Sequence, residues 1–127
     1  MSHISTLKTI LRNEEHLRSA LSAMGCSVSA SRRVKAVFGE STTVDFTACP
    51  QAGSDPIGFR KGTDGAYDVV ADWYGVKGVK KNAFMNELQR QYAYVATCDT
   101  LRRQGFDVAK EEEGPDRTIR LVLRRMA

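Results

Sequence analysis

Apolar residues recur early in the chain with the spacing of an amphipathic helix. The intervals i, i+3, i+4 and i+7 place four apolar side chains on one face: Leu17, Ala20, Leu21 and Met24. Asn13 precedes this run as a candidate N-cap, because its side chain can accept a hydrogen bond from a free N–H of the first turn. Gly25 follows the run, and the pattern therefore predicts a helix that begins after Asn13 and ends before Gly25.

A second apolar stripe predicts a longer helix over residues 82–104, which ends at Gly105. In both places the predicted helix is followed by glycine and then by residues typical of a strand. Glycine adopts the left-handed conformation easily, so it turns the chain back at the end of a helix. The repeated helix–glycine–strand phrase predicts two related halves, in which Gly25 and Gly105 are equivalent.

Alternating apolar and β-branched residues predict strands around these helices. The predicted strands are 3–11, 26–30, 34–38, 44–48, 57–60, 67–74, 106–112 and 117–125. Because most of them are neighbours along the chain, an antiparallel sheet is expected. The sequence thus predicts one α+β domain over residues 1–127. It has an antiparallel sheet with two helices packed on one face, built from two β-α-β-β-like pseudo-repeats.

The cysteines and histidines favour neither a disulfide framework nor a metal site. Cys26, Cys49 and Cys98 are odd in number and widely spaced, as in proteins of reducing compartments. His3 and His16 lack the spacing of metal ligands to any cysteine. We therefore expect three buried, unpaired thiols and no metal.

The N-terminal residues do not have the basic and apolar regions of a signal peptide, and no segment approaches a membrane span. These features predict a cytoplasmic protein without a membrane partner. The net charge of +4 and the pI of about 9.1 permit an anionic partner without requiring one.

No recognised catalytic or nucleotide-binding motif occurs in the sequence. It lacks a Gly-x-Ser-x-Gly nucleophile elbow, a Walker loop and a Gly-x-Gly-x-x-Gly fingerprint. The expectation is therefore that the protein is not an enzyme and carries no cofactor.

The loop before the second helix is the first candidate site. It carries Lys77, Gly78, Lys80 and Lys81 beside the free N–H groups of a helix start, an arrangement that suits an anion. The alternative is a loop whose lysines are simply solvated.

The predicted sheet offers a second candidate. If the apolar positions of its strands face the helices, a charged set lies on the opposite face: Asp45, Arg60, Asp68, Asp72, Arg120 and Arg124. This set would form a platform for a partner. Its mixed signs favour the alternative of cross-strand ion pairs on a solvated sheet face, each worth about 0.2–1 kcal/mol.

Several stretches together resemble a known family. They are residues 1–9, 57–60, 67–75, 89–94, 104–108 and 119–123, in order over nearly the whole chain. They are similar to the conserved plastid and cyanobacterial reading-frame family numbered thirty-five, which is also a bacterial domain of unknown function. The resemblance implies a compact protein without assigned catalytic residues. It also implies an accessory role, because members are often encoded near an AAA-type ATPase and a small ferredoxin.

From these features we expect a non-catalytic cytosolic accessory protein that binds a protein partner, with an AAA-type ATPase system as the candidate. The alternative is a weakly basic nucleic-acid-binding module whose binding is weak and non-specific. Such a module would show aromatic residues for base stacking on an open sheet face, and the predicted face is mainly charged.

Overall fold

The computed structural model describes residues 4–35, 39 and 41–126. They form two compact units, Met1–Tyr92 and Ala93–Ala127, and the boundary between these units falls within the second helix. The elements are β1 (Ser5–Lys8), α1 (Glu14–Ala23), β2 (Ser27–Ser29), β3 (Arg33–Lys35), β4 (Ser41–Thr43), β5 (Phe46–Cys49), β6 (Ile57–Lys61), β7 (Tyr67–Ala71), α2 (Lys81–Arg103), β8 (Phe106–Glu113) and β9 (Ile119–Arg125). The predicted α+β class is confirmed.

Both ends of α1 form as predicted. The Asn13 side chain accepts a hydrogen bond from the His16 N–H at 2.9 Å, which satisfies one of the free donors of the first turn. At the other end Gly25 has φ +84°, and the Cys26 N–H donates to the Leu21 carbonyl at 3.0 Å. The left-handed glycine therefore closes the helix and directs the chain into β2.

The first unit is built on a five-stranded antiparallel sheet with the order β1-β7-β6-β5-β2. The predicted hairpin of β6 and β7 lies at its centre. One face of the sheet packs against α1 and the first part of α2, as predicted. The large side chains of this core are Leu17, Leu21, Phe46, Ile57, Phe59, Val69, Phe84 and Leu88. Phe46 and Phe59 stack across the strands with ring centroids 5.1 Å apart.

Part of the opposite face of the sheet is covered by the β3–β4 hairpin and the residue that follows it, so that Val34 and Val44 are buried together with Val70 of β7. Gly58 of β6 makes room for this contact. A Cβ built on Gly58 would lie 2.6 Å from Val34 Cγ2 and 2.7 Å from Val44 Cγ1, well inside van der Waals contact.

The prediction of a single strand over 44–48 is wrong, because the chain breaks its alternation between β4 and β5. The Val44 N–H donates to the Arg32 carbonyl, whereas the Asp45 N–H donates to the Phe59 carbonyl. This break sends Val44 to one face of the sheet and Phe46 to the other, although strict alternation would place them together. The predicted strand positions Ala36 and Phe38 lie outside the described residues.

The second unit consists of the end of α2 and the β8–β9 hairpin. Gly105 has φ +90°, so both predicted helix-ending glycines are left-handed. The strands that follow them differ in their pairing. β2 joins the five-stranded sheet, whereas β8 and β9 form a separate two-stranded sheet. The described strands thus make three sheets rather than one, because β3–β4 and β8–β9 pair only within their own hairpins.

Candidate binding sites

The predicted basic loop is held by internal contacts with the segment that precedes β6. The Lys77 N–H donates to the Ser54 hydroxyl at 2.8 Å, and Gly78 is left-handed with φ +89°. The Lys80 carbonyl accepts from the Phe84 N–H at 2.8 Å and so begins α2. The side chains of Lys77, Lys80 and Lys81 are exposed. The structure therefore brings these lysines to one loop, and anion binding by the loop stays a prediction.

Only part of the predicted charged platform comes together. Arg60 and Asp68 lie opposite each other on β6 and β7, with Arg60 Nη2 3.8 Å from Asp68 Oδ2. Lys8 of β1 adds its ammonium nitrogen at 3.2 Å from the same oxygen. Asp68 is buried, so these partners compensate a carboxylate that is largely removed from water.

The other members of that predicted set lie elsewhere. Asp45 accepts from the Lys61 N–H at 2.6 Å, at the break between β4 and β5. Asp72 is buried after β7, where its side chain accepts from the Tyr74 N–H at 3.2 Å and shapes the turn. Arg120 and Arg124 belong to β9 and hence to the two-stranded sheet. The single platform is thus a wrong prediction, because it assumed that all strands share one sheet.

The sequence reasoning missed a basic cavity in the first unit. It has a volume of about 580 Å³ and is lined by Ser31, Arg32, Arg33, Lys35, Asp55 and Pro56. Its basic residues come from β3 and from the position just before it, and its acidic residue from the loop before β6. The available signal was the cluster of basic residues at 32, 33 and 35. That signal does not reveal the approach of Asp55, which the tertiary structure supplies.

The β8–β9 hairpin exposes apolar side chains. Val122 and Leu123 of β9 retain 44% and 39% of their accessible surface, and Met126 just beyond the strand retains 50%. In the described part of the chain, β9 pairs with β8 alone, so its second edge has no strand partner. Ion pairs link the two strands of the hairpin; for example, Arg124 Nη2 lies 3.0 Å from Asp107 Oδ2.

A tyrosine links α2 to this hairpin within the second unit. The Tyr94 hydroxyl donates to Glu111 Oε2 at 2.5 Å, and this hydrogen bond raises the pKa of Tyr94 above its ordinary value. The bond ties β8 to the helix.

The described residues include no group of histidine, cysteine and acidic side chains that could hold a metal ion. Cys26, Cys49 and Cys98 are free thiols; Cys26 and Cys98 are buried and Cys49 is half-buried. Burial raises the pKa of the Cys26 thiol, which disfavours the reactive thiolate. Across residues 4–35, 39 and 41–126, neither helix has the length and apolar character required for a membrane crossing.

The two helices and the antiparallel five-stranded sheet define a small protein of the α+β class. The chain belongs to the family described as "Protein of unknown function (DUF1257)", which matches residues 20–122. It is similar to the "uncharacterized protein ycf35" of Cyanophora paradoxa, with 33% identity over 127 residues and 98% of each chain covered. The proteins with the same name from Pyropia yezoensis and Guillardia theta are 26% and 27% identical over 129 residues, again with 98% of each chain covered. No solved structure matches the chain significantly. The family predicted from the sequence is therefore confirmed.

Proposed function

We propose that this chain is a non-catalytic cytoplasmic accessory protein that binds a protein partner through the free edge of β9. The observation that carries the proposal is the exposure of Val122 and Leu123 on a strand that, among the described residues, has one unpaired edge. An unpaired edge can accept a further strand from another chain, with backbone hydrogen bonds for affinity and side chains for specificity.

The charges of β9 indicate what kind of strand would fit. Its apolar centre, 121–123, lies between Arg120 on one side and Arg124 and Arg125 on the other. Of these arginines, Arg124 already contacts Asp107, and Arg125 lies over the Phe106 ring at 4.7 Å. We therefore expect an extended partner segment with an apolar centre and at least one acidic flank, because such a segment is complementary in both respects. The family resemblance suggests an AAA-type ATPase system as its source.

The test begins with tagged protein from the native host, purified at physiological salt and analysed by mass spectrometry. A recovered partner is then purified and mixed with the chain, and hydrogen exchange is measured on both. We expect slower exchange in residues 119–126 of the complex, because new backbone hydrogen bonds form along β9.

Variants make this test specific. Val122→Glu is expected to abolish the complex, since it places a carboxylate in the apolar centre of the contact. Tyr74→Glu is the matched control, because Tyr74 is also a large exposed side chain, with 77% exposure, but lies in the first unit. Equal loss of binding in both variants, or protection confined to other residues, would refute the assignment to β9.

The alternative function, nucleic-acid binding, is tested separately by fluorescence anisotropy with mixed DNA and RNA oligonucleotides. We expect weak binding that falls steeply with salt and does not depend on sequence, because counterion release would supply the affinity. Sub-micromolar, sequence-selective binding at physiological salt would promote this alternative over a protein partner.

A further inference from the structure

We propose that the cavity beside β3 binds a small phosphorylated ligand that also carries a hydroxyl or amine group. This inference goes beyond the protein-binding role and does not depend on it. The cavity lies wholly in the first unit, whereas β9 belongs to the second. Its volume of about 580 Å³ falls within the range of small-molecule sites, about 300–1,000 Å³.

Three basic side chains line the cavity, and little in the described structure neutralises them. Arg33 and Lys35 form no ion pair with any described carboxylate, and Arg33 Nη2 instead donates to the Ser41 hydroxyl at 2.8 Å. Arg32 Nη2 lies 3.7 Å from Asp45 Oδ1, and both of these side chains remain substantially exposed. Such an exposed pair contributes little, so all three cations are available to an anion. Guanidinium groups in particular suit phosphate, to which they can donate two hydrogen bonds.

The strand that carries these cations is firmly placed. Val34 lies between Arg33 and Lys35, is 1% exposed, and packs into the space above Gly58. Because side chains alternate along a strand, this anchoring holds Arg33 and Lys35 together on the opposite side of β3. The cations are therefore presented by a regular element, and less ordering is needed when the ligand binds.

Asp55 sets the second requirement on the ligand, which is a hydrogen-bond donor. Its backbone N–H donates to the Gly75 carbonyl at 3.0 Å, and a Cβ on Gly75 would collide with the Asp55 carboxylate. Asp55 is one of the residues that line the cavity, and no described side chain bonds to its carboxylate. A carboxylate only accepts hydrogen bonds when ionised, so it requires a donor such as a hydroxyl or an amine from the ligand. Inorganic phosphate carries P–OH donors only on the same group that the cations bind, whereas a phosphate ester with a hydroxyl or amine places a separate donor near Asp55. A continuous nucleic-acid backbone would bring further phosphates against this carboxylate and be repelled.

Ribose 5-phosphate is the first probe, because it combines one phosphate with several hydroxyl groups. The experiment titrates it, and separately inorganic phosphate and ribose, into the isotope-labelled full chain and follows amide chemical shifts. We expect saturable shifts of residues 31–35 and 54–56 with ribose 5-phosphate, weaker binding of inorganic phosphate and none of ribose. Equal affinities for ribose 5-phosphate and inorganic phosphate would refute the donor requirement, and the absence of saturable binding at millimolar concentration would refute the site.

Two kinds of variant separate the roles of the charges. Lys35→Gln and Arg33→Gln are expected to weaken binding of ribose 5-phosphate by about tenfold or more, the usual cost of a lost charge-assisted hydrogen bond. Asp55→Asn is expected to weaken ribose 5-phosphate but to strengthen inorganic phosphate, because it removes a negative charge. The matched control is Lys77→Gln with Lys80→Gln, two exposed lysines outside the cavity lining. If this control weakened binding as strongly as Lys35→Gln, the affinity would come from general charge, and the proposal would fail.

Discussion

Replacing Gly58 by alanine tests whether the β3–β4 hairpin is held by close packing on the central sheet. Gly58 has no unusual backbone conformation, so any effect of this substitution comes from the added methyl group. That methyl would lie 2.6 Å from Val34 Cγ2 and 2.7 Å from Val44 Cγ1. Carbon atoms pack best at about 3.5–4.0 Å, so each contact is too short by about 1 Å.

The valines cannot move aside without cost. Both are β-branched and therefore stiff, and they are only 1% and 2% exposed. Overpacking of this kind typically costs about 1–3 kcal/mol. We therefore expect Gly58→Ala to lower the free energy of unfolding by about 1–3 kcal/mol, through displacement of β3 and β4 from the sheet.

Urea unfolding followed by circular dichroism measures this change in Gly58→Ala, in Val34→Ala and in the double variant. Because Val34→Ala removes one of the two clashing side chains and leaves room for Val44 to shift, the double variant should lose less stability than the sum of the single variants. Gly25→Ala is a control in which no atom beyond the adjacent residues lies within 4 Å of the new methyl group, so that only backbone strain acts. Unchanged stability of Gly58→Ala, or strict additivity with Val34→Ala, would refute the packing argument.

Three further predictions concern the helix ends and one buried tyrosine. Asn13→Ala should lower the unfolding free energy by about 0.5–2 kcal/mol in a urea titration, whereas Asn13→Asp, which keeps an acceptor, should not. Gly105→Val should destabilise by about 1 kcal/mol or more in the same assay and Gly105→Asn by less, because φ is +90° at this position. Burial, with a hydrogen bond to Glu14, raises the pKa of Tyr67 to about 12, so the folded chain keeps a proton that the unfolded chain loses near pH 10. The free energy of unfolding should therefore decline as pH rises from about 10 to about 12, and Tyr67→Phe should make this decline shallower. An equally steep decline in the variant would contradict the role given to Tyr67.

The elements that the sequence predicted well are those set by neighbouring residues. Helix α1 follows from its apolar spacing and from Asn13, whose side chain bonds within three residues. The hairpin of β6 and β7 follows from alternation on either side of a turn that contains left-handed Gly65. Local hydrogen bonds, local backbone preferences and the spacing of apolar residues indicate these features, and the sequence displays all three directly.

The candidate sites were predicted less completely because their residues come from distant parts of the chain. The lysines at 77, 80 and 81 share one loop, and the structure keeps them there. The cavity combines β3 with Asp55, some twenty residues later, and no local pattern signals that approach. The predicted platform failed for the same reason, since alternation shows which side chains share a face but not which strands share a sheet.

The sequence by itself determined the family, the α+β class, both helices with their glycine ends, and the hairpin at the centre of the sheet. Only the tertiary structure decided that β8 and β9 form their own sheet and that part of the face opposite the helices is covered. The physical reason lies in burial, which depends on contacts between residues far apart in the chain. Within β6 alone nothing requires glycine at position 58. The requirement arises only in the folded chain, where Val34 and Val44 occupy the space that a side chain at this position would need.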